Sequence, residues 1–192
     1  MPREGKKLVL PLIPLRRLKA VLDELRIPYL IGGSVASSIR GEPRFTKDVD
    51  IVAELAVEQV DRFVKVLGSE WYADDDTIRR AIQHHTAFNI IFIEEAEKID
   101  IFPADDPFHL SQLARATEVN FGDEANPLML PVASAEDIVL AKLRWDKMSS
   151  GSSERQLQDI AGVFAANPKI DKDYLRMWAT RLSVSALLER FL

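Results

Sequence analysis

The sequence predicts an α+β fold, a mixed β-sheet with flanking helices over residues 1–133 followed by a C-terminal helical region over 134–192. Three observations carry that prediction. Short apolar segments punctuated by Gly and Pro alternate with amphipathic stretches as far as about residue 133. Two of these segments, 88–93 and 98–102, are joined by an acidic turn and read as a hairpin. Beyond them, Ser134-Ala-Glu-Asp137 is a capping box ahead of an apolar helix, and the rest of the chain keeps helical spacing.

The elements follow in order. Leu15, Leu18, Val21, Leu22 and Leu25 recur at helical spacing with charges on the other face, and Pro28 ends that helix. Tyr29-Leu30-Ile31 is a short buried strand. Gly32-Gly33 makes a turn, with Ser34 placed to cap a helix that runs to about Arg40. A basic loop over 41–47 leads into a second strand at 49–52, and 57–67 forms a further amphipathic helix. Trp71-Tyr72 is extended, and residues 77–84 read as a helix with Asp74, Asp75 and Asp76 near its start. Segments 119–121 and 128–132 add edge strands, and 149–153 is a linker within the helical region.

The bulk properties narrow the function classes. With 47% apolar and 29% charged residues, the 192-residue chain is an ordinary globular protein. A net charge of −5 argues against bulk, sequence-independent nucleic-acid binding, which depends on many cationic contacts to phosphate. The absence of cysteine excludes a disulfide framework, a thiolate zinc site and a cysteine nucleophile. Lys6-Lys7 and the apolar run 8–15 imitate a signal peptide, but Pro11, Pro14 and Arg16-Arg17 interrupt the pattern. No stretch approaches the ~20 apolar residues of a bilayer span. The expectation is a cytoplasmic protein without membrane attachment, its N-terminal apolar run docked on its own core.

The chemistry concentrates at a turn and two strands. Gly33 and Ser34 lie between strand and helix, where free N–H groups and the helix dipole favour phosphate. Thirteen intervening residues later, Asp48 and Asp50 flank Val49, and alternation along a strand points both carboxylates the same way. Asp100 interrupts the apolar strand Ile99-Asp100-Ile101-Phe102, where an unpartnered carboxylate is costly to bury. Three carboxylates side by side repel unless a cation joins them, and hard oxygen ligands select Mg²⁺ or Mn²⁺ over zinc.

Gly33, Ser34, Asp48, Asp50 and Asp100 together resemble the signature of the nucleotidyltransferase superfamily typified by DNA polymerase beta: a Gly-Ser turn, an Asp-x-Asp and a third Asp on a later strand. The stretch Arg44-Phe-Thr-Lys-Asp-Val-Asp50 looks like the minimal AbiEii-type, toxin-like members. Ser134-Ala-Glu-Asp-Ile-Val-Leu-Ala-Lys142-Leu is similar to their lysine-bearing helix, and Ser153-Glu-Arg155-Gln-Leu-Gln-Asp159-Ile to the helix after it. The resemblance spans roughly residues 15–190. It implies a nucleotidyltransferase-like fold and a two-metal transfer of a nucleoside monophosphate from an NTP to a hydroxyl of a tRNA, a protein or a small molecule. Asp48 and Asp50 would be shared metal ligands, and Asp100 the acceptor-side ligand and base. Gly33 and Ser34 would hold the terminal phosphates, with Arg44, Lys47 and Lys142 neutralising their charge. A toxin role would bring an antitoxin partner.

Other readings compete. Asp48-Val-Asp-Ile-Val52 fits a haloacid-dehalogenase-type phosphatase string, but there the apolar residues precede the first Asp, whereas here Arg44-Phe-Thr-Lys47 precede it. Glycosyltransferases also use Asp-x-Asp, without need of the upstream Gly-Ser turn. A degenerate nucleotide- or partner-binding module of the same fold is the non-catalytic alternative. Among single residues, a lysine such as Lys142 on an amphipathic helix is more often at the surface. Arg155 and Asp159 read as an intrahelical i,i+4 ion pair, His84-His85 as helix-end polar residues, and Asp105-Asp106 as a turn.

Overall fold

The structure, a computed structural model, describes residues 10–46, 48–149 and 154–192. Lys47, Leu8, Val9 and most of the 149–153 linker lie outside the described residues.

Helix α1 (Leu12–Glu24) starts one turn earlier than the apolar spacing alone indicates. Pro11 and Pro14 permit this, because the first turn of a helix has no intrahelical use for the N–H that proline lacks. Leu15, Leu18, Val21 and Leu22 are buried on its inner face; of the described part of the N-terminal apolar run, Pro14 and Leu15 are buried and Leu10 packs on the core, while Leu12 and Ile13 are exposed.

Strand β1 (Tyr29–Ile31) is buried along its length, and α2 (Gly33–Arg40) follows at once. Ser34 does not cap this helix. Gly32 holds the N-cap position, and Ser34 is the second helical residue, its hydroxyl free for another partner. After β2 (Val49–Ala53) come a 3-10 turn at Val57–Gln59, α3 (Val60–Leu67), β3 (Trp71–Tyr72) and α4 (Asp75–Gln83). Asp74 caps α4 by accepting from the Thr77 N–H at 2.8 Å, and His84 ends the helix as its C-cap. The hairpin pairs β4 (Phe88–Phe92) with β5 (Glu97–Pro103).

Asp105 and Asp106 are more than a turn. Asp106 caps α5 (Pro107–Arg115) through the His109 N–H at 2.8 Å, with Pro107 at the first helical position. Strands β6 (Thr117–Asn120) and β7 (Met129–Val132) pair antiparallel. Helices α6 (Ala135–Met148), α7 (Glu154–Ala166), α8 (Lys172–Arg181) and α9 (Ser185–Leu188) complete the described chain. None of the described helices is long and apolar enough to cross a membrane.

The seven strands form one sheet in the order β3-β4-β5-β2-β1-β7-β6. Of the two expected edge strands only β6 is at an edge. β7 lies inside the sheet because its apolar Leu130 and Val132 are buried beside β1. The pairings β2–β5 and β1–β7 are parallel and the rest antiparallel, which makes the sheet mixed.

Along β2 and β5, Val49, Ile51, Ala53, Ile99 and Ile101 turn inward, leaving Asp50 and Asp100 on the opposite face. Helix α2 packs on β2, α6 and α7, so one continuous core runs from α1 to α9. Where α2 ends, Gly41 meets the backbone of α7. A β-carbon at Gly41 would lie 2.9 Å from the Val163 nitrogen and 3.1 Å from the Gly162 carbonyl carbon.

Candidate active site

Register places the carboxylates. β2 and β5 run parallel with Asp50 directly beside Asp100, and Asp48 precedes Asp50 by two residues. Neighbouring strands lie about 4.8 Å apart, so the two in-register carboxylates are mutual neighbours. On β4, Asn89 pairs with Asp100 and extends the row to Asn89, Asp100, Asp50. Asn89 and Asp48 are exposed, and Asp50 and Asp100 are half-buried.

Gly33 closes the row from the other side. Its φ of +51° is in the left-handed region, and a β-carbon there would lie 1.7 Å from Asp50 Oδ2. Only glycine admits the carboxylate this close. The Ser34 main-chain N–H, at the free end of α2, donates to Asp50. The Gly-Ser turn therefore engages the second carboxylate of the Asp-x-Asp pair, with no phosphate needed to explain Gly33.

The electrostatics match a cation site. Burial raises the Asp50 pKa above the ordinary carboxylate value. The negative charges of Asp100 and Asp48 push the same way, while the Ser34 N–H and Lys142 work against the rise. An ionised Asp50 is thus under-compensated, and oxygen-only donors are the kind that suit Mg²⁺ or Mn²⁺. Among the described residues, however, Asp48, Asp50 and Asp100 do not stand with their ligand atoms within 4.8 Å of one another. Sequence reasoning missed one cation beside them. Lys98, two residues before Asp100 on the same face of β5, holds its Nζ 2.5 Å from Asp100 Oδ2. The period-2 alternation of the strand was the available signal.

The opposite wall is cationic. Arg44 forms a two-pronged ion pair with Asp159, Nε to Oδ1 and Nη2 to Oδ2, both at 2.8 Å. Its Nη2 also donates to the Ser34 hydroxyl at 2.8 Å. Lys142 donates to Asp159 Oδ2 at 2.8 Å and to Gln156 at 2.7 Å.

One rival reading falls and one expectation is corrected here. Lys142 is not a surface lysine, because its side chain is only 7% exposed. Asp159 turns away from Arg155 to Arg44 and Lys142, since a carboxylate that is also 7% exposed takes the two cations it is buried with. Burial alone would raise the Asp159 pKa, but the hydrogen bonds from Arg44 and Lys142 outweigh it and hold the group low. Burial lowers the Lys142 pKa, against the pull of Asp159. Gln156 and Asp159 were missed as site residues because their partners are remote in sequence.

A second cluster lies elsewhere. Asp105 accepts from His85 Nδ1 at 2.5 Å and lies 3.3 Å from His109 Nδ1, while Asp106 pairs with Arg144 at 2.5 Å. Asp105, Asp106 and His109 stand at ligand spacing. They follow Pro103, three strand residues and about 10 Å beyond Asp100, so they do not belong to the carboxylate row.

No family model and no curated protein matches the sequence. Solved structures do match the fold. The antibiotic-resistance factor ANT(2'')-Ia is 16% identical, with 93% of this chain and 96% of that one covered at a TM-score of 0.51. An antigenic nucleotidyltransferase-like protein from Paracoccidioides brasiliensis is 18% identical, with 94% and 90% covered at the same TM-score. Its mixed sheet and flanking helices give this chain the nucleotidyltransferase fold.

Proposed function

We propose that the protein is a metal-dependent nucleotidyltransferase that moves a nucleoside monophosphate from an NTP to an acceptor hydroxyl. The observation that carries this reading is the in-register pair Asp50 and Asp100, with Asp48 beside them and the Arg44–Lys142 wall opposite. A bound Mg²⁺ or Mn²⁺ would neutralise triphosphate charge and ease ionisation of the acceptor hydroxyl.

The chain's own groups supply the rest. Asp48 and Asp50 would hold the cation, and Asp100 would orient the acceptor hydroxyl and take its proton. The acceptor oxygen bonds to the α-phosphorus as the bond to the bridging oxygen breaks and pyrophosphate leaves. Arg44, Lys142 and the Ser34 hydroxyl stabilise the departing charge, and Lys47, outside the described residues, would add its charge to theirs. In this division, residues 1–133 form the catalytic half and 134–192 supply Lys142 and its partners. The acceptor is a small molecule, a protein hydroxyl or a tRNA end. The net charge of −5 gives no broad cationic surface for the last of these.

One observation favours a second reading. Lys98 already pairs with Asp100, as it would in a degenerate module that binds a nucleotide or partner without turnover. Calorimetric titration of ATP, GTP, CTP and UTP with Mg²⁺ tests the site. Binding of one nucleotide that is lost in Asp48→Ala/Asp50→Ala is the expected result, and no binding by folded protein would sink the catalytic reading. Transfer of α-phosphate label to acceptor fractions then separates enzyme from module. An AbiEii-type toxin role predicts growth arrest on overexpression, relieved by Asp50→Ala and by a cognate antitoxin.

A further inference from the structure

We propose that the exposed face of β5, β4 and β3 is the acceptor shelf of the site, where Asn89 and Tyr72 receive an uncharged polyhydroxy ring of sugar type. The inference rests on the nucleotidyltransferase reading for the reaction at Asp100; the shelf itself is a binding surface that shows without turnover.

Alternation along the strands builds the shelf. On β4, Phe88, Ile90 and Phe92 point into the core, which leaves Asn89 and Ile91 on the face that carries Asp100. On β3, Trp71 is buried and Tyr72 is 61% exposed. Asn89 stands opposite Asp100 in the β4–β5 ladder, and Tyr72 stands opposite Ile91 in the β3–β4 ladder. Tyr72 is thus two strands from Asp100, or about 10 Å across the sheet. β3 is the outermost strand, so the shelf starts at the carboxylate and ends at the tyrosine.

The aromatic end is fixed in place. Trp71 packs edge-on against Phe92 with ring centroids 5.1 Å apart, and pairing to β4 holds the Tyr72 backbone. One exposed tyrosine is ordinary by itself. Here it lines up with half-buried Ile91 and exposed Asn89 on a path that leads to the acceptor-side carboxylate.

The chemistry of these side chains selects the occupant. The C–H groups on one side of a sugar ring stack on an aromatic face, and its hydroxyls bond to a carboxamide, which both donates and accepts. Asn89 would grip one hydroxyl and so leave its neighbour at Asp100. The cation of this face, Lys98, already donates to Asp100 at 2.5 Å, so it is not free for the phosphates of a nucleic acid. An anionic acceptor would also approach the carboxylate row against its charge.

The test is binding to the full chain, without nucleotide, followed by two-dimensional NMR. Maltose and trehalose are the neutral probes, and a single-stranded oligoadenylate is the anionic one. The expected result is that a neutral sugar shifts the Tyr72, Asn89 and Ile91 resonances. Tyr72→Ala should weaken that binding about tenfold and Asn89→Ala about fivefold, while Tyr72→Phe, which keeps the ring, should leave it unchanged. Both residues are exposed, so the replacements spare the core. No response to either sugar, shifts confined to another surface, binding of oligoadenylate alone, or wild-type affinity in Tyr72→Ala overturns the proposal. Sugar bound on the shelf with no transfer of α-phosphate label from any NTP keeps the shelf and sinks the nucleotidyltransferase reading. Label transfer with wild-type acceptor KM in both alanine variants does the opposite.

Discussion

The carboxylate row and the cationic wall that faces it are assembled over very different distances along the chain. Asp50 lies on β2 with Asp48 just before its start, and Asp100 joins Asp50 through a ladder of main-chain hydrogen bonds. On the wall, Arg44 reaches Asp159 across 115 residues, and only side chains hold the contact. The row is fixed by backbone register and carries uncompensated negative charge. The wall is fixed by an anion buried between two cations and carries its compensation with it. A scaffold built this way keeps the carboxylate row rigid while the two cations depend on one carboxylate.

Asp50→Asn strikes the row hardest. It removes a ligand while keeping the shape, and metal-dependent nucleotide transfer should fall on the order of 100-fold or more, measured as kcat/KM at saturating metal. The melting temperature should hold or rise, because a carboxylate destabilised by burial and by its neighbours is gone.

Asp159→Ala tests the wall and should do the reverse. Arg44 and Lys142 would lose their shared anion, and breaking a buried pair costs about 3–5 kcal/mol, read from urea unfolding. A loss within ~0.5 kcal/mol would show that the wall is not held as described.

Gly33→Ala probes the seam between row and turn. The positive φ alone costs about 1–2 kcal/mol, and the collision with Asp50 adds to it, so stability and metal affinity should fall together.

The smallest effect is in pH. Asp50 has a folded pKa raised above its unfolded value, so its contribution is fully present below the unfolded value and is lost as pH rises through the folded one. Asp159, with a depressed pKa, contributes above the unfolded value and loses its share as pH falls through the folded one. Without metal the two slopes oppose each other, and Asp50→Asn should steepen the rise of stability with pH by removing the opposing share of Asp50. A stability curve for Asp50→Asn with the wild-type slope across the acid range would contradict that assignment.

The same contrast explains what could be read from the sequence. Period-2 alternation and flanking turns make strands 49–53 and 97–103 legible, and with them Asp48, Asp50 and Asp100. The capping residues before α6 are equally local. Asp159 was not legible, because i,i+4 spacing offers Arg155 as a partner and nothing local reports that α7 crosses α2 at Gly41. Lys98 was overlooked for a different reason. It lies inside the strand pattern, where a lysine on a half-exposed strand has the same signature as a solvated surface residue. The pairing of β7 with β1 likewise depends on the packed core and not on the sequence around β7.

The remoteness of Asp159 also orders events in time. A ribosome adds about 5–20 residues per second, so the carboxylate that clamps Arg44 emerges roughly 3–12 s after Asp100. During that interval the sheet-forming half can collect its strands, β6 and β7 last, while Arg44 has no anion to hold it. Lys142 is still unmade for most of the wait. The nascent chain therefore passes through a stage in which the carboxylate row exists before the cationic wall does, and arrival of α7 is the step that completes the wall.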